Sequence, residues 1–184
     1  DVTRFSAKPY KDVDLLSGGV PCPPFSVAGH KRGSSDERDL FPHALRLVRE
    51  CEPKAVMIEN VRGLLSPEFD DYRGQINWQL ECMGYRPRWK LLNACDFGVP
   101  QLRPRAILVA LREDIDSGDT AFQWPESLGS PPTVGEALLE EMASCGWELA
   151  EDWARRANDI APTLVGGSRK HGGPDLGPTR ARNA

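Results

Sequence analysis

Several features that would point to other classes of protein are missing from this sequence. No run of apolar residues approaches the roughly 20 that a membrane-spanning helix requires. The opening residues, DVTRFSAKPYKDVD, have neither a basic head nor an apolar core, so they do not indicate a secretory signal. The five cysteines include no CxxC pair, which argues against a metal site and favours a reducing, cytoplasmic location.

Length and composition are typical of one soluble globular domain. The chain has 184 residues, of which 40% are hydrophobic and 27% charged. A net charge of −4 argues against a general polyanion binder. Residues 155–184, however, hold six basic and two acidic side chains. This segment fits a nucleic-acid surface and, on charge alone, fits a solvated basic tail equally well.

Apolar runs and helix signals alternate along the chain. Strands are predicted at 14–17, 55–60, 86–92 and 106–111, and helices after Ser34, at 72–83 and after Thr133. This alternation predicts an α/β fold with a mostly parallel sheet and helices on both faces. Ligands of such sheets bind beyond the carboxyl ends of the strands. Cys22 and Glu59 each follow a predicted strand, so we expect them at one edge if the two strands are neighbours.

Cys22 lies between two prolines in the segment GGVPCPPFS. Taken alone, the plainest interpretation is packing, because free cysteine is often buried. The letters CPPF also resemble the motif of amino-group DNA methyltransferases, which place Asp, Asn or Ser before Pro-Pro-aromatic. A thiol hydrogen-bonds an exocyclic amine poorly, which makes that alternative the weaker one.

Three segments in order, GGVPCPPFS, IENV and QLRPRAILVA, together resemble the DNA methyltransferases that modify carbon 5 of cytosine. Pro21 and Cys22 match that family's Pro-Cys loop, and Glu59 with Asn60 matches its Glu-Asn-Val. Its Gln-x-Arg-x-Arg motif matches the residues Gln101, Arg103 and Arg105. The resemblance implies a partial Rossmann-like fold of the S-adenosylmethionine-dependent methyltransferases.

The chemistry of this family explains the residue types. A thiolate from Cys22 would add to carbon 6 of cytosine and turn carbon 5 into a nucleophile. Glu59 would hydrogen-bond or protonate ring nitrogen 3, a role that burial of the side chain would favour. By resemblance, Arg105 contacts the carbonyl oxygen of the base and Arg103 steadies the site. The resemblance gives supporting positions to Pro21, Asn60 and Gln101, with Asn60 bracing the Pro-Cys loop.

The same resemblance implies double-stranded DNA and a methyl donor as ligands, and no metal. The target base would be flipped out of the helix, with Ser26 on a phosphate and Lys31 and Arg32 in a closing loop. Arg169 and Lys170 lie between paired glycines and are further candidates for DNA contact. The donor, S-adenosylmethionine, would be held by the residues Asp1, Val2 and Leu40.

The domain organisation follows from the same comparison. We expect a partial catalytic domain at 1–145 and the start of a loop-rich target-recognition region at 146–184. The family's glycine-rich first motif and its closing motifs do not occur in these residues, so we expect weak donor binding and no turnover from the isolated chain. A monomer of bacterial or phage origin is expected. A cognate restriction endonuclease remains open, as does the alternative of an inactive, DNA-binding remnant.

Overall fold

The computed structural model describes residues 1–20, 39–117 and 121–163. These residues belong to two compact units, Asp1–Leu92 with Pro104–Pro125 and Asn93–Arg103 with Glu126–Ala184. The boundary expected after residue 145 stays a prediction. The predicted site residues that lie outside the described ranges are Pro21, Cys22, Ser26, Lys31, Arg32, Arg169 and Lys170.

The first unit contains a four-stranded sheet. The strands of the chain, in sequence order, are β1 Leu15–Gly19, β2 Ala55–Val61, β3 Tyr85–Asn93, β4 Gln101–Leu102, β5 Pro104–Arg112 and β6 Ala161–Pro162. The sheet has the order β1-β2-β5-β3, with β1 parallel to β2 and β2 antiparallel to β5. The α/β, Rossmann-like architecture is therefore confirmed, but the described sheet is mixed rather than mostly parallel. A strand that runs parallel to the preceding one is reached through a crossover connection, usually a helix. In the described residues, no helix directly precedes β5, because the chain enters it from the short strand β4.

The α-helices in the described part of the first unit are α1, Phe41–Cys51, and α2, Asp70–Cys82. Apolar residues of both helices share one buried cluster with Ile58 of β2 and Leu108 of β5. Met57 alternates with Ile58 along the strand, points to the opposite face and is 43% exposed. In the described part of this unit, α1 and α2 therefore cover the same face, and helices on the other face stay a prediction.

Local sequence signals explain where α1 begins and ends. Asp39 accepts a hydrogen bond from the Phe41 backbone N–H at 3.0 Å and so satisfies one free donor of the first turn. Glu52 follows the helix with φ +47°, and Pro53 comes next. Proline disfavours helical backbone in the residue before it, which explains why the helix ends here. The buried face, including Leu45 and Val48, is the one that the apolar spacing predicts.

The second unit contains two helices and a short parallel pair of strands, β4 with β6. Its helices are α3, Val134–Ser144, and α4, Ala150–Arg156. Thr133 and Glu136 form the predicted capping box at the start of α3. A side chain at Gly135 would lie 2.1 Å from the Ala154 carbonyl oxygen, so only glycine permits this helix contact.

All of these helices are short. The longest of them, α2, has 13 residues. Across the three described ranges, no helix combines the length and the apolar character that crossing a membrane requires.

Candidate active site

The parallel pairing of β1 with β2 creates the edge at which the predicted chemistry lies. In the register of the two strands, Gly19 is the partner of Glu59. The carboxyl ends of both strands therefore meet at one edge of the sheet, as the sequence predicts. Val20, Pro21 and Cys22 follow Gly19 directly in the chain. The thiol itself lies outside the described residues.

Glu59 forms an ion pair with Arg105 across the antiparallel strands. The distance between Arg105 Nε and Glu59 Oε1 is 2.6 Å. The two residues meet because Arg105 pairs with Val61, two positions beyond Glu59 on the same face of β2. The Glu59 side chain is 43% exposed. One polar ligand could therefore donate a hydrogen bond to the carboxylate of Glu59 and accept one from the guanidinium of Arg105. The role of Glu59 as a proton donor, which burial would favour, stays a prediction.

Asn60 lies on the opposite face of β2 and is 1% exposed. Its Nδ2 donates to the carbonyl oxygen of Val20 at 3.3 Å, and its Oδ1 accepts from the Val61 N–H at 2.9 Å. Asn60 thus connects the end of β2 to the residue that precedes Pro21. Bracing of the Pro-Cys loop by Asn60 stays a prediction.

Arg103 and Gln101 belong to the second unit, whereas Arg105 belongs to the first. The Arg103 N–H donates to Asn93 Oδ1 at 2.8 Å, and Gln101 lies in β4. β5 begins at Pro104, one residue after Arg103. The joint role of the two arginines at the base stays a prediction.

An apolar cavity of about 300 Å³ lies beside β1 and α1. Val2 and Leu40, two of the three predicted donor-binding residues, form part of its wall. The remaining apolar side chains of the wall are Leu16, Val20, Ala44, Leu47 and Ile58. This size is at the lower end of small-molecule sites, and an apolar wall suits a flat adenine ring rather than a charged group. The described residues therefore fit the adenosine part of the expected donor.

Contacts with α1 fix the segment that carries Val2. Arg46 donates to the Val2 and Phe5 carbonyl oxygens at 2.9 Å each and pairs with Glu50 at 2.6 Å. Hydrogen bonds from Arg46 and from the Ala7 N–H hold the pKa of Glu50 below its usual value. The i,i+4 spacing of Arg46 and Glu50 is a helix signal that the sequence analysis did not use.

Asp1, the third predicted donor-binding residue, bonds locally. Its Oδ1 accepts from the Thr3 N–H at 3.0 Å and from the Thr3 hydroxyl at 2.9 Å. Its backbone carbonyl accepts from the N–H groups of Arg4 and Phe5. The turn orients the carboxylate, and contact of Asp1 with an adenine amine stays a prediction.

A buried acid that the sequence analysis missed lies away from this edge. Asp116 is 1% exposed, pairs with Arg88 at 2.6 Å and accepts from the Phe122 N–H at 3.0 Å. Burial alone would raise the pKa of Asp116, but the bonds from Phe122 and Arg88 outweigh it and lower the pKa overall. The sequence signal that could have indicated a buried acid is the alternation of Arg86 and Arg88 in β3, which places two cations on one face of the strand. We assign this cluster a structural role.

The remaining cysteines form no site in the described residues. Cys51 and Cys95 are buried, as expected of core thiols, whereas Cys82 and Cys145 are exposed. Within the same ranges, no group of three or more His, Cys, Asp or Glu side chains is arranged to hold a metal ion.

The mixed sheet, the apolar cavity beside β1 and the polar pair at the strand ends agree with the α/β fold that the sequence predicts. Comparison with known proteins gives the family. The chain belongs to the C-5 cytosine-specific DNA methylases, because the model of that family matches residues 1–171. The resemblance stated from the motifs is thereby confirmed.

Two relatives show how much of such a protein the chain represents. It is 58% identical over 172 residues to the Type II methyltransferase M.NaeI of Lentzea aerocolonigenes, covering 94% of this chain and 41% of that protein. It is 52% identical over 166 residues to M.NgoMIV of Neisseria gonorrhoeae, covering 90% of this chain and 52% of that protein. The chain spans about half the length of these relatives.

Solved structures agree on the fold. A structure described as a DNA modification methyltransferase encoded within an E. coli prophage matches with a TM-score of 0.57 and 26% identity, over 75% of this chain and 40% of that chain. A mutant of Spodoptera frugiperda DNMT2 matches with a TM-score of 0.55 over 77% of this chain and 43% of that chain. The second likeness, at 21% identity, supports the fold alone.

Proposed function

We propose that the protein transfers a methyl group to carbon 5 of cytosine in double-stranded DNA. The observation that carries the proposal is the ion pair of Glu59 and Arg105 at the sheet edge where the Pro21-Cys22 segment follows β1. A carboxylate and a guanidinium side by side match the polar edge of cytosine, which offers an amine, a ring nitrogen and a carbonyl oxygen. Membership of the methylase family supports methyl transfer to cytosine as the reaction in which this pair takes part.

In the proposed reaction, the Cys22 thiolate adds to carbon 6 of the ring and breaks its aromaticity. Carbon 5 would then form a bond to the methyl group as the methyl–sulfur bond of the donor breaks and the thioether leaves. Transfer of the carbon 5 proton to water would eliminate the thiolate and restore the aromatic ring. Glu59 holds ring nitrogen 3 and the exocyclic amine, while Arg105 holds the carbonyl oxygen. Because these atoms are hidden within a duplex, the base must first be flipped out, which costs a few kcal/mol.

S-adenosylmethionine, when bound, supplies the methyl group on an electrophilic sulfonium. Val2 and Leu40 would pack against its adenosine part in the apolar cavity, and Asp1 would accept a hydrogen bond from the adenine amine. The bonds of Arg46 to the N-terminal segment keep that wall in place. We include no metal in the proposal.

Other residues would hold the loop and the DNA. Asn60 fixes the chain before Pro21 through Val20. The family's matching positions give Gln101 and Arg103 supporting roles in the proposed reaction. The DNA contacts proposed outside the described ranges involve Ser26, Lys31, Arg32, Arg169 and Lys170. The proposed enzyme is monomeric and cytoplasmic. The Type II names of the relatives support a restriction–modification system with a cognate endonuclease.

The test is transfer of a labelled methyl group to DNA by protein expressed from the complete reading frame that contains these residues. Mass spectrometry of the digested DNA identifies the product as 5-methylcytosine or N4-methylcytosine. We expect 5-methylcytosine, and we expect Glu59→Gln to lower kcat by about 100-fold or more, since it removes general acid–base function. Glu81→Gln on the exposed end of α2 is the matched control.

Each alternative has its own outcome in this assay. N4-methylcytosine would identify an amino-group methyltransferase. DNA binding without any methyl transfer would identify an inactive remnant. Wild-type activity in the Glu59→Gln variant would remove the carboxylate from the mechanism.

A further inference from the structure

Gly19, at the carboxyl end of β1, lies against the catalytic carboxylate proposed above. It is the register partner of Glu59, so a side chain at position 19 would point to the same face as that of Glu59. A Cβ atom built on Gly19 would lie 3.4 Å from Glu59 Oε2. No left-handed φ requires glycine at this position, because Gly19 is absent from the positive-φ glycines of the described chain. Backbone strain therefore does not explain the glycine.

The two oxygens of Glu59 have different surroundings. Oε1 is paired with Arg105 Nε at 2.6 Å, whereas Oε2 is the oxygen that faces Gly19. A hydrogen-bond donor must come within about 3 Å of Oε2 to be accepted. A methyl carbon at 3.4 Å would occupy that approach. The absence of a side chain leaves it open.

We propose that Gly19 is a positioning residue that keeps Glu59 Oε2 accessible to the amine or ring nitrogen of the target cytosine. The proposal rests on the function proposed above and adds a selective role for a residue that also lines the apolar cavity beside β1. Arg105 fixes one carboxylate oxygen, and Gly19 leaves the other free for the base. Any side chain at position 19 would reduce access to Oε2 without removing the carboxylate.

The test is Gly19→Ala in the protein from the complete reading frame, with kcat and KM measured on DNA at saturating S-adenosylmethionine. We expect kcat to fall by about tenfold or more, because small displacements of a positioned group are costly in catalysis. KM for DNA should change little, since contacts with the phosphate backbone supply most of a protein's affinity for DNA. Gly74→Ala on α2, where an added Cβ meets no atom within 4 Å, is the activity control. Gly18→Ala, also without a neighbour within 4 Å, is the folding control in urea denaturation.

A double-mutant cycle distinguishes reduced access to the Glu59 carboxylate from a general distortion of β1. Glu59→Asp withdraws the carboxylate by one methylene, so Gly19→Ala should cost less in that background than in the wild type. Equal costs in both backgrounds, or a Gly19→Ala variant as active as Gly74→Ala, would overturn the inference. If the wild-type protein transfers no methyl group to DNA, both the proposed function and this inference are overturned. An active wild type with an insensitive position 19 would overturn the inference alone.

Discussion

The buried side chain of Asn60 should contribute strongly to the stability of the candidate site. Replacing it with alanine removes its hydrogen bonds to the Val20 carbonyl and the Val61 N–H. At 1% exposure, water cannot take the place of the side chain without rearrangement. A buried polar group left without a partner costs about 1–3 kcal/mol. With two such groups, Asn60→Ala should lower the free energy of unfolding by about 2–6 kcal/mol.

Urea denaturation followed by circular dichroism measures this difference, provided that the m-value stays constant. The matched control is Asn77→Ala on α2, which removes the half-buried bond from Trp89 Nε1 at 2.8 Å. That loss should cost only about 0.5–1.5 kcal/mol. Asn60→Asp preserves the shape but turns the donor that faces the Val20 carbonyl into an acceptor, so it should destabilise as well. An Asn60→Ala variant no less stable than Asn77→Ala would refute the reasoning.

Three further predictions concern the rest of the fold. Gly135→Ala should destabilise the second unit by about 1–3 kcal/mol through overpacking, whereas Gly74→Ala should be neutral or stabilising; equal unfolding midpoints would contradict this. Asp116 has a lowered folded pKa, so its stabilisation is present above about pH 4 and is lost as pH falls through the folded value. The stability advantage of wild type over Asp116→Asn should therefore narrow in acid, and a constant gap in urea titrations would oppose this.

Burial raises the pKa of Tyr85 to about 12, and its hydroxyl donates to the Pro53 carbonyl at 2.6 Å. Its contribution is thus present below about pH 10 and is lost as pH rises toward the folded value. Tyr85→Phe should lower the free energy of unfolding by about 1 kcal/mol at neutral pH. It should also show a smaller loss of stability in alkali than the wild type. Identical alkaline profiles would count against the buried hydroxyl.

The sequence predicted the elements whose signals are local. Apolar spacing indicated α1 and α2, and Thr133 with Glu136 predicted the start of α3. The direction of β5 could not be predicted, because the apolar run AILVAL reads the same for a parallel or an antiparallel strand. The placement of both helices on one face likewise depends on packing between distant segments.

The candidate site was predictable only in part for the same reason. Motif resemblance identified Glu59, Asn60 and Arg105, but their contacts depend on the register between β2 and β5. The exposure of Glu59 also follows from that register, since Glu59 lies on the face opposite α1 and α2. Asp116 carries no motif, and its burial results from the return of the chain past Arg88.

The most direct measurement is covalent trapping on DNA that carries 5-fluorocytosine at target sites. Fluorine at carbon 5 cannot leave as a proton does, so the thiolate adduct cannot be resolved after methyl transfer. Incubation with S-adenosylmethionine should give a denaturation-resistant protein–DNA complex, with the modified peptide mapping to Cys22. Cys22→Ser should abolish the complex, and Cys82→Ser should form it normally. A DNA-methylating protein that yields no adduct, or one attached at another residue, would contradict the account.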